Sequence, residues 1–281
     1  MLLKSFELRG RKPVVFAVLA VSLTLALLYR PARAFIADYK HGSIQTILDN
    51  KETEVVDTIP LNTKSLPLYL EALEAAKSAA SIEPMRPKYH KALSNYYAKL
   101  GNRAKIEEFL GMPKPQGMLL SKDYFELAIE ELRLAIGVAP VDYEAHLTMG
   151  VIFDSMKASP ELSEEAYERA AKVFPVNVLV RYAIVRQYLS TDRPGRALEH
   201  ARALAAADDT YKLPDTIYKK EIMEIRPGHY QTKITKSYLY KALDVAWRVS
   251  KDRQVVKGIV PNNDEAKVVL ETFFDLNHIE E

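Results

Sequence analysis

The sequence predicts an all-α fold: an α-solenoid of stacked helix pairs that begins with a transmembrane helix and ends with a helical cap. Two observations predict the solenoid. Helix-favouring Ala, Leu, Lys and Glu are abundant, and long runs of β-branched residues are few. In addition, a pattern of small and large apolar residues recurs with a spacing of 35 positions, the distance from Pro140 to Pro175.

The repeated pattern is clearest between Ser121 and Ala207. The residues five, eight and twelve positions before each proline correspond, and they are Ala135, Leu132 and Ala128 in one repeat and Ala170, Tyr167 and Ser163 in the next. Small residues let one helix backbone approach another, and large side chains fill the remaining space. Gly150 lies where we expect the closest approach, and each proline stops a helix because it lacks the N–H group.

The first helix of each pair has a pattern of its own. It reads His146-x-x-Met149-Gly150-x-x-Phe153 in one repeat and Arg181-x-x-Ile184-Val185-x-x-Tyr188 in the next. Together these motifs resemble the tetratricopeptide repeat, a helix-turn-helix unit of about 34 residues. The resemblance implies that the units stack to bury their apolar faces and that they bind protein partners in a concave groove.

The resemblance also places that groove on the first helix of each unit. Carried over by position, the expected partner contacts are Lys91, Asn95, Glu144, Asp154, Tyr182 and Arg186, beside apolar lining residues such as Leu147 and Val151. Family members that hold the C-terminal carboxylate of chaperones use Lys and Asn as at Lys91 and Asn95. They also use an Asn, a Lys and an Arg where this chain has Thr148, Leu179 and Ala183, so capture of a chaperone tail is not expected.

The N-terminal region predicts a membrane anchor. Residues 14–29 carry no charge and are largely apolar, which suits a short transmembrane helix or signal anchor. The alternative is a cleaved signal peptide, for which Ala32-Arg33-Ala34 has the small-x-small pattern. Lys and Arg are slightly more numerous in the cytoplasmic N-terminus, residues 1–13, than just after the span. We therefore expect a single-pass protein of the bacterial inner membrane with its remaining part in the periplasm.

The rest of the chain divides into three predicted regions. Residues 30–64 form a juxtamembrane helix and a linker, residues 65–207 form the repeats, and residues 208–281 form a helical region. An insertion at about residues 101–122 interrupts the repeats and carries apolar residues around a Pro-Lys-Pro-Gln-Gly turn. One interpretation is a flap whose apolar side chains pack on the repeats, and the other is an exposed loop that docks a partner.

The C-terminal region predicts helices that cover the open end of the solenoid. We expect a short helix over residues 216–226, a longer one after Ser237, and a last one capped by Asn262-Asn263-Asp264. The segment from Ala242 to Ser250, with the Ile259-Val260-Pro261 that follows, resembles the end of repeat proteins associated with O-antigen ligases and exopolysaccharide assembly in Gram-negative bacteria. That resemblance implies a setting in envelope polysaccharide assembly.

Composition argues against catalysis, metal binding and nucleic-acid binding. The chain has no cysteine, a net charge of only +2 and six scattered histidines, and it lacks the catalytic and phosphate-binding motifs that recur in enzymes. His90 and His146 occupy positions where the repeat packs an aromatic ring, so we expect them to be structural. No cofactor is expected, and the chain is not expected to be an enzyme.

The expected function is that of an adaptor. The sequence predicts a membrane-anchored scaffold that holds another protein in the cell envelope, in the assembly or export of exopolysaccharide or O-antigen. The alternative is a carbohydrate-binding or polymer-conducting periplasmic solenoid, which would use the rings of Tyr182 and Trp247 as stacking faces.

Overall fold

The computed structural model describes residues 29, 31–39, 42, 66–114, 117–209, 211, 218–226 and 229–279. The predicted anchor, residues 14–29, lies outside the described residues except for Tyr29, and so does most of the predicted linker. Among the helices that are described, none combines the length and the apolar character that a membrane span requires.

The described chain is mainly helical. Its elements are α1 (residues 31–39), α2 (Leu66–Ile82), α3 (Pro87–Phe109), α4 (Ser121–Val138), α5 (Tyr143–Ser155), α6 (Pro160–Val173), α7 (Val178–Ser190), α8 (Pro194–Ala207), β1 (Tyr218–Arg226), β2 (His229–Lys236), α9 (Tyr238–Ser250), α10 (Arg253–Lys257) and α11 (Asp264–Leu276). They divide into two compact units, Met1–Pro140 and Val141–Glu281.

The first unit is built on the pair α3 and α4, with α2 packed on α3. Its core includes Leu93, Leu100, Phe125 and Leu132, all almost fully buried. The short helix α1 contacts this unit through the charged side chain of Asp38. Its Asp38 accepts hydrogen bonds from Lys88 and from the Tyr89 hydroxyl, and the hydrogen bond from Lys88 is the main reason why the pKa of Asp38 is lowered.

The predicted insertion differs from a simple flap. Helix α3 continues without a break to Phe109, so the first part of residues 101–122 extends the helix, and only the remainder is a connection to α4. The sequence from Ala104 to Phe109 contains good helix formers. A Cβ at position 101 would lie 3.0 Å from the Phe125 ring, so Gly101 leaves room for that ring to pack on α3. The flap interpretation also fails for most of the apolar side chains, which are exposed.

In the second unit the same kind of helix N-cap recurs at the interval that the sequence predicted. Asp142 accepts hydrogen bonds from the backbone N–H groups of two residues at the start of α5, and Asn177 does the same for α7. These two N-caps stand 35 residues apart in the sequence. An N-cap side chain satisfies backbone donors that have no partner within the helix, so the repeat sets where each helix begins. The predicted helix pairs α5 with α6 and α7 with α8 are confirmed.

The C-terminal helices share the core of these pairs. Leu243 of α9 and Phe273 of α11 are fully buried in one apolar cluster with Ile184 of α7 and Leu204 of α8. Because α9 packs directly on α8, the predicted boundary after residue 207 does not separate two compact units. The predicted helical cap corresponds to α9 and α11.

The predicted helix over residues 216–226 is wrong. Strand β1 pairs with β2 as an antiparallel hairpin, from Tyr218 opposite Lys236 to Arg226 opposite His229, with an irregularity between Glu224 and Arg226. Isoleucine, threonine and tyrosine are frequent across the two segments, and such residues favour strands. Proline and glycine at positions 227–228 separate the two strands, as turn residues do. The described fold is therefore mainly helical, as predicted, with one β-hairpin that the sequence did not predict.

Gly150 provides a direct test of the helix packing. A Cβ at this position would lie 2.3 Å from the Tyr167 ring, so we expect Gly150→Ala to lower the free energy of unfolding by about 1–3 kcal/mol. The control is Gly195→Ala in α8, where a Cβ meets nothing within 4 Å and a gain of about 0.4–1 kcal/mol is expected. Urea unfolding measures both, and a Gly150→Ala protein as stable as wild type would contradict the packing of α5 on α6.

Candidate partner-binding groove

A groove lies between the first helices of the two repeats in the second unit. It has a volume of about 280 Å³ and is lined by Leu147 and Val151 of α5 and by Ala183, Arg186, Gln187 and Ser190 of α7. Residues four apart lie on the same face of a helix, which explains why Leu147 and Val151 line it together, as do Ala183 and Gln187. The floor is therefore aliphatic, and polar groups of α7 stand beside it.

The structure brings some of the predicted groove residues together. Leu147, Val151 and Arg186 line the same groove, and Arg186 is exposed. Glu144 is also exposed, in the first turn of α5. Lys91 and Asn95 lie on α3 of the first unit, where Lys91 is half-buried and Asn95 is exposed.

Tyr182 is less accessible than the sequence suggested. Its ring packs edge-to-face on Tyr238, with 5.7 Å between the ring centroids. The ammonium group of Lys241 lies 4.8 Å from the centre of the Tyr182 ring and 4.2 Å from that of Tyr238. Tyr182 thus joins α7 to α9, and its half-buried ring contributes to the core.

Asp154 has a different role from the one that its repeat position predicted. Its carboxylate accepts two hydrogen bonds of 2.7 Å from Arg193 and one of 2.6 Å from the Tyr167 hydroxyl. Only 8% of the Asp154 side chain is exposed. A carboxylate enclosed in this way does not face a partner, so Asp154 is not one of the partner contacts that the sequence predicted. It belongs instead to a framework of buried hydrogen bonds with Tyr167 and Arg193, behind the groove.

Arg193 is the central residue of that framework, and the sequence analysis missed it. Besides Asp154, its guanidinium donates to the Ser163 hydroxyl at 2.8 Å and to the Thr191 hydroxyl at 2.9 Å. The guanidinium carbon also lies 4.7 Å from the centre of the Tyr188 ring. Nothing in the residue types around Arg193 distinguishes it from a surface arginine at a helix start. Its position one residue before Pro194 could have shown that it lies in a turn between two buried helices.

The framework reaches the groove through Gln187. This residue lines the groove, and its side-chain amide donates to Asp154 at 3.4 Å. Burial is the main reason why the pKa of Tyr167 lies far above its usual value, and the hydrogen bond to Asp154 raises this pKa further. The hydroxyl therefore remains a donor at every physiological pH. The network therefore joins α5, α6 and α7 to the turn before α8.

Two buried histidines have structural contacts. One nitrogen of the His90 ring is 2.6 Å from Glu131 and the other is 2.8 Å from the Pro84 carbonyl oxygen. His200 lies between Glu168 and Arg181, and burial lowers its pKa. Within the described residues, no three His, Cys, Asp or Glu side chains are grouped so that they could hold a metal ion.

Comparison with known proteins gives similarity at the level of solved structures. No model of a known protein family matches the chain, and no curated protein sequence matches it. TTC0263, a thermophilic tetratricopeptide repeat protein of Thermus thermophilus, is 21% identical over 67% of this chain and 88% of its own, with a TM-score of 0.42. A structure of MamA is 17% identical over 51% of this chain and 71% of its own, with a TM-score of 0.36.

A structure of PilF from Pseudomonas aeruginosa covers more of the chain. It is 14% identical over 86% of this chain and 99% of its own, with a TM-score of 0.33. The similarity in each case is distant. The description of this chain as tetratricopeptide-like therefore depends on its own helix pairs, the 35-residue spacing of its N-caps and the packing of Gly150 against Tyr167.

The buried ion pair predicts a large difference between two substitutions. Asp154→Ala leaves the Arg193 guanidinium enclosed without its carboxylate, so we expect it to lower the free energy of unfolding by about 3–5 kcal/mol. Arg169→Ala removes only the exposed pair with Glu165, for which we expect about 0.5 kcal/mol or less. Chemical denaturation measures both variants, and similar losses for the two would contradict the central role of Asp154.

Proposed function

We propose that this chain is a membrane-anchored scaffold of the bacterial cell envelope that binds another protein in the groove between α5 and α7. The observation that supports this proposal is the lining of the groove, where aliphatic side chains of α5 lie beside the exposed Arg186 of α7. Helix pairs of this kind are typical of protein-interaction scaffolds. The proposed setting is the assembly or export of exopolysaccharide or O-antigen, and it rests on the sequence of the C-terminal helices.

The lining of the groove suggests what it binds. Leu147, Val151 and Ala183 offer an apolar surface for one side chain of a partner. Arg186 presents a guanidinium that can donate two parallel hydrogen bonds to a carboxylate. A partner segment with an aliphatic residue next to an Asp or Glu fits both features.

The carbohydrate-binding alternative needs open aromatic faces. Tyr182 is covered by Tyr238 and Lys241, and Trp247 is half-buried on the core, with Lys251 5.5 Å from its ring centre. Each ring therefore already has a protein contact, and only part of its surface is left for a sugar. These contacts favour a protein partner over a polysaccharide.

Site-directed crosslinking tests the groove. A photoreactive benzoylphenylalanine at Ser190, on the groove lining, is expected to capture one defined protein in intact membranes. Arg186→Glu should reduce the yield of this adduct about tenfold or more, since interface arginines often contribute about 2 kcal/mol. The control is Arg202→Glu, an exposed arginine on α8, which should leave the yield unchanged.

Three results would contradict the proposed partner binding. The first is an adduct that Arg186→Glu leaves intact, and the second is an adduct that both substitutions reduce equally. The third is capture of glycan alone, which would favour the carbohydrate-binding alternative.

Fusion proteins test the proposed topology. Alkaline phosphatase fused after Glu281 is expected to be active, because the proposed orientation exports the C-terminus to the periplasm, where this enzyme folds. Green fluorescent protein at the same position is expected to be dark. A fluorescent, phosphatase-negative pair of fusions would place the repeats in the cytoplasm, and N-terminal sequencing of the mature protein distinguishes an anchor from a cleaved signal peptide.

A further inference from the structure

The short helix α1 turns its charged side chains towards the first unit. The Arg33 guanidinium donates to the carbonyl oxygen of Ile82, and its Nε lies 3.7 Å from the carboxylate of Glu83. Ala37, four residues after Arg33 and therefore on the same face, is fully buried. Asp38 is held by hydrogen bonds from the start of α3. These contacts fix α1 against the end of α2 and the start of α3.

The other face of α1 is apolar and exposed. It consists of Phe35, Ile36 and Tyr39, of which Phe35 is 71% exposed and Tyr39 is 69% exposed. Phe35 and Tyr39 are four residues apart, so they lie on one face of the helix. A helix on the surface of a water-soluble protein has the reverse arrangement, with its apolar stripe on the core and its charged residues in water. The outer face of α1 therefore suits an apolar medium.

The sequence before α1 indicates which medium that is. Residues 14–29 carry no charge and are largely apolar, and they form the proposed membrane anchor. Only residue 30 separates this segment from the first residue of α1. Two consecutive Cα–Cα steps cover less than about 8 Å, so an anchor that ends at Tyr29 places the start of α1 at the membrane surface. Lipid is then the apolar medium next to the exposed face.

We propose that α1 lies along the surface of the membrane, with Phe35, Ile36 and Tyr39 between the headgroups and the acyl chains. The inference rests on the proposed anchor and goes beyond it, because it gives α1 an orientation. Helices with one apolar face bury that face about 5–10 Å deep at this boundary. A tyrosine suits this depth because its ring is apolar and its hydroxyl can reach water or headgroups.

In this orientation α1 joins the membrane directly to the first unit. The face turned away from lipid carries Arg33 and Asp38, and both side chains are bound to the first unit. One helix with its side chains is about 10–12 Å wide. The turn between α2 and α3 therefore lies within about that distance of the membrane, and the first unit is held there by polar contacts that lipid does not reach.

Spin labelling of the full-length chain tests the proposal, because the protein has no native cysteine. Nitroxides are attached separately to Tyr39→Cys and, as the control, to Asn102→Cys, an exposed position of α3. Position 102 lies about 20 Å along the helix from Tyr89, which contacts α1. The chain is reconstituted in vesicles of phosphatidylcholine with phosphatidylglycerol. Collisions with oxygen, which concentrates in lipid, and with a water-soluble nickel chelate are compared by electron paramagnetic resonance.

The expected result is a label at position 39 that collides more with oxygen than with nickel, and a label at position 102 that does the reverse. A helix that continued straight out of the membrane would place position 39 in water, about 15 Å beyond Tyr29. Frequent nickel collisions at position 39 would therefore overturn the proposal. So would a label at position 39 that is shielded from both reagents, since a second copy of the chain would then cover α1.

A charge on the apolar face provides a second measurement. Phe35→Asp in the Tyr39→Cys chain should lower the ratio of lipid-exposed to water-exposed label about tenfold or more, because the transfer of a phenylalanine side chain out of water is lost. Asn102→Asp in the same chain is the control and should leave the ratio unchanged. A ratio that Phe35→Asp does not lower would contradict the position of α1 in lipid.

Extraction of cell membranes with alkaline carbonate separates this proposal from the anchor on which it rests. A chain that stays in the membrane while its label at position 39 meets nickel keeps the anchor and overturns the orientation of α1. A chain that carbonate removes contradicts the anchor itself, and the orientation of α1 with it. Failure of the anchor and failure of the α1 contact therefore give different results.

Discussion

The second unit depends on one buried ion pair between consecutive repeats. Asp154 belongs to α5, and Arg193 lies just before α8. Each ion loses most of its hydration, which costs several kcal/mol unless hydrogen bonds replace the water. In this protein hydrogen bonds replace the water: the Tyr167 hydroxyl donates to Asp154, and Arg193 donates to the Ser163 hydroxyl. The pair is favourable only while these helices hold their relative positions, and through Gln187 it also sets one wall of the groove.

The sequence predicted the helix pairs well because their causes are local and periodic. Gly150 lies at a close approach of two helices, as expected, and the residue that packs against it is Tyr167. Asp142 and Asn177 begin their helices at matching positions. The β-hairpin was missed, because residues 216–226 were predicted to form a short helix. Strand preference depends on pairing between segments, which composition alone does not reveal. The sequence also did not show that most apolar side chains of the insertion are exposed, because exposure depends on how the folded chain packs.

The candidate site was predicted in part. Leu147, Val151 and Arg186 were identified because repeat position alone determines which way they face. Asp154 occupies an equivalent position, yet its carboxylate is drawn into the interior by an arginine 39 residues later in the sequence. A long-range ion pair of this kind leaves no periodic trace. The groove is consequently more apolar than the sequence suggested, with Arg186 as its prominent charge, and this difference determines which partner it suits.

The central claim is that the Asp154–Arg193 pair holds α5 and α7 in the arrangement that forms the groove. Amide hydrogen exchange on the full-length protein with Arg193→Met tests this claim most directly, because it reports the opening of each helix separately. The account predicts a loss of protection in Tyr143–Ser155 and Val178–Ser190, while α3 and α4 exchange as in wild type. Unchanged protection in α5 and α7 would contradict it.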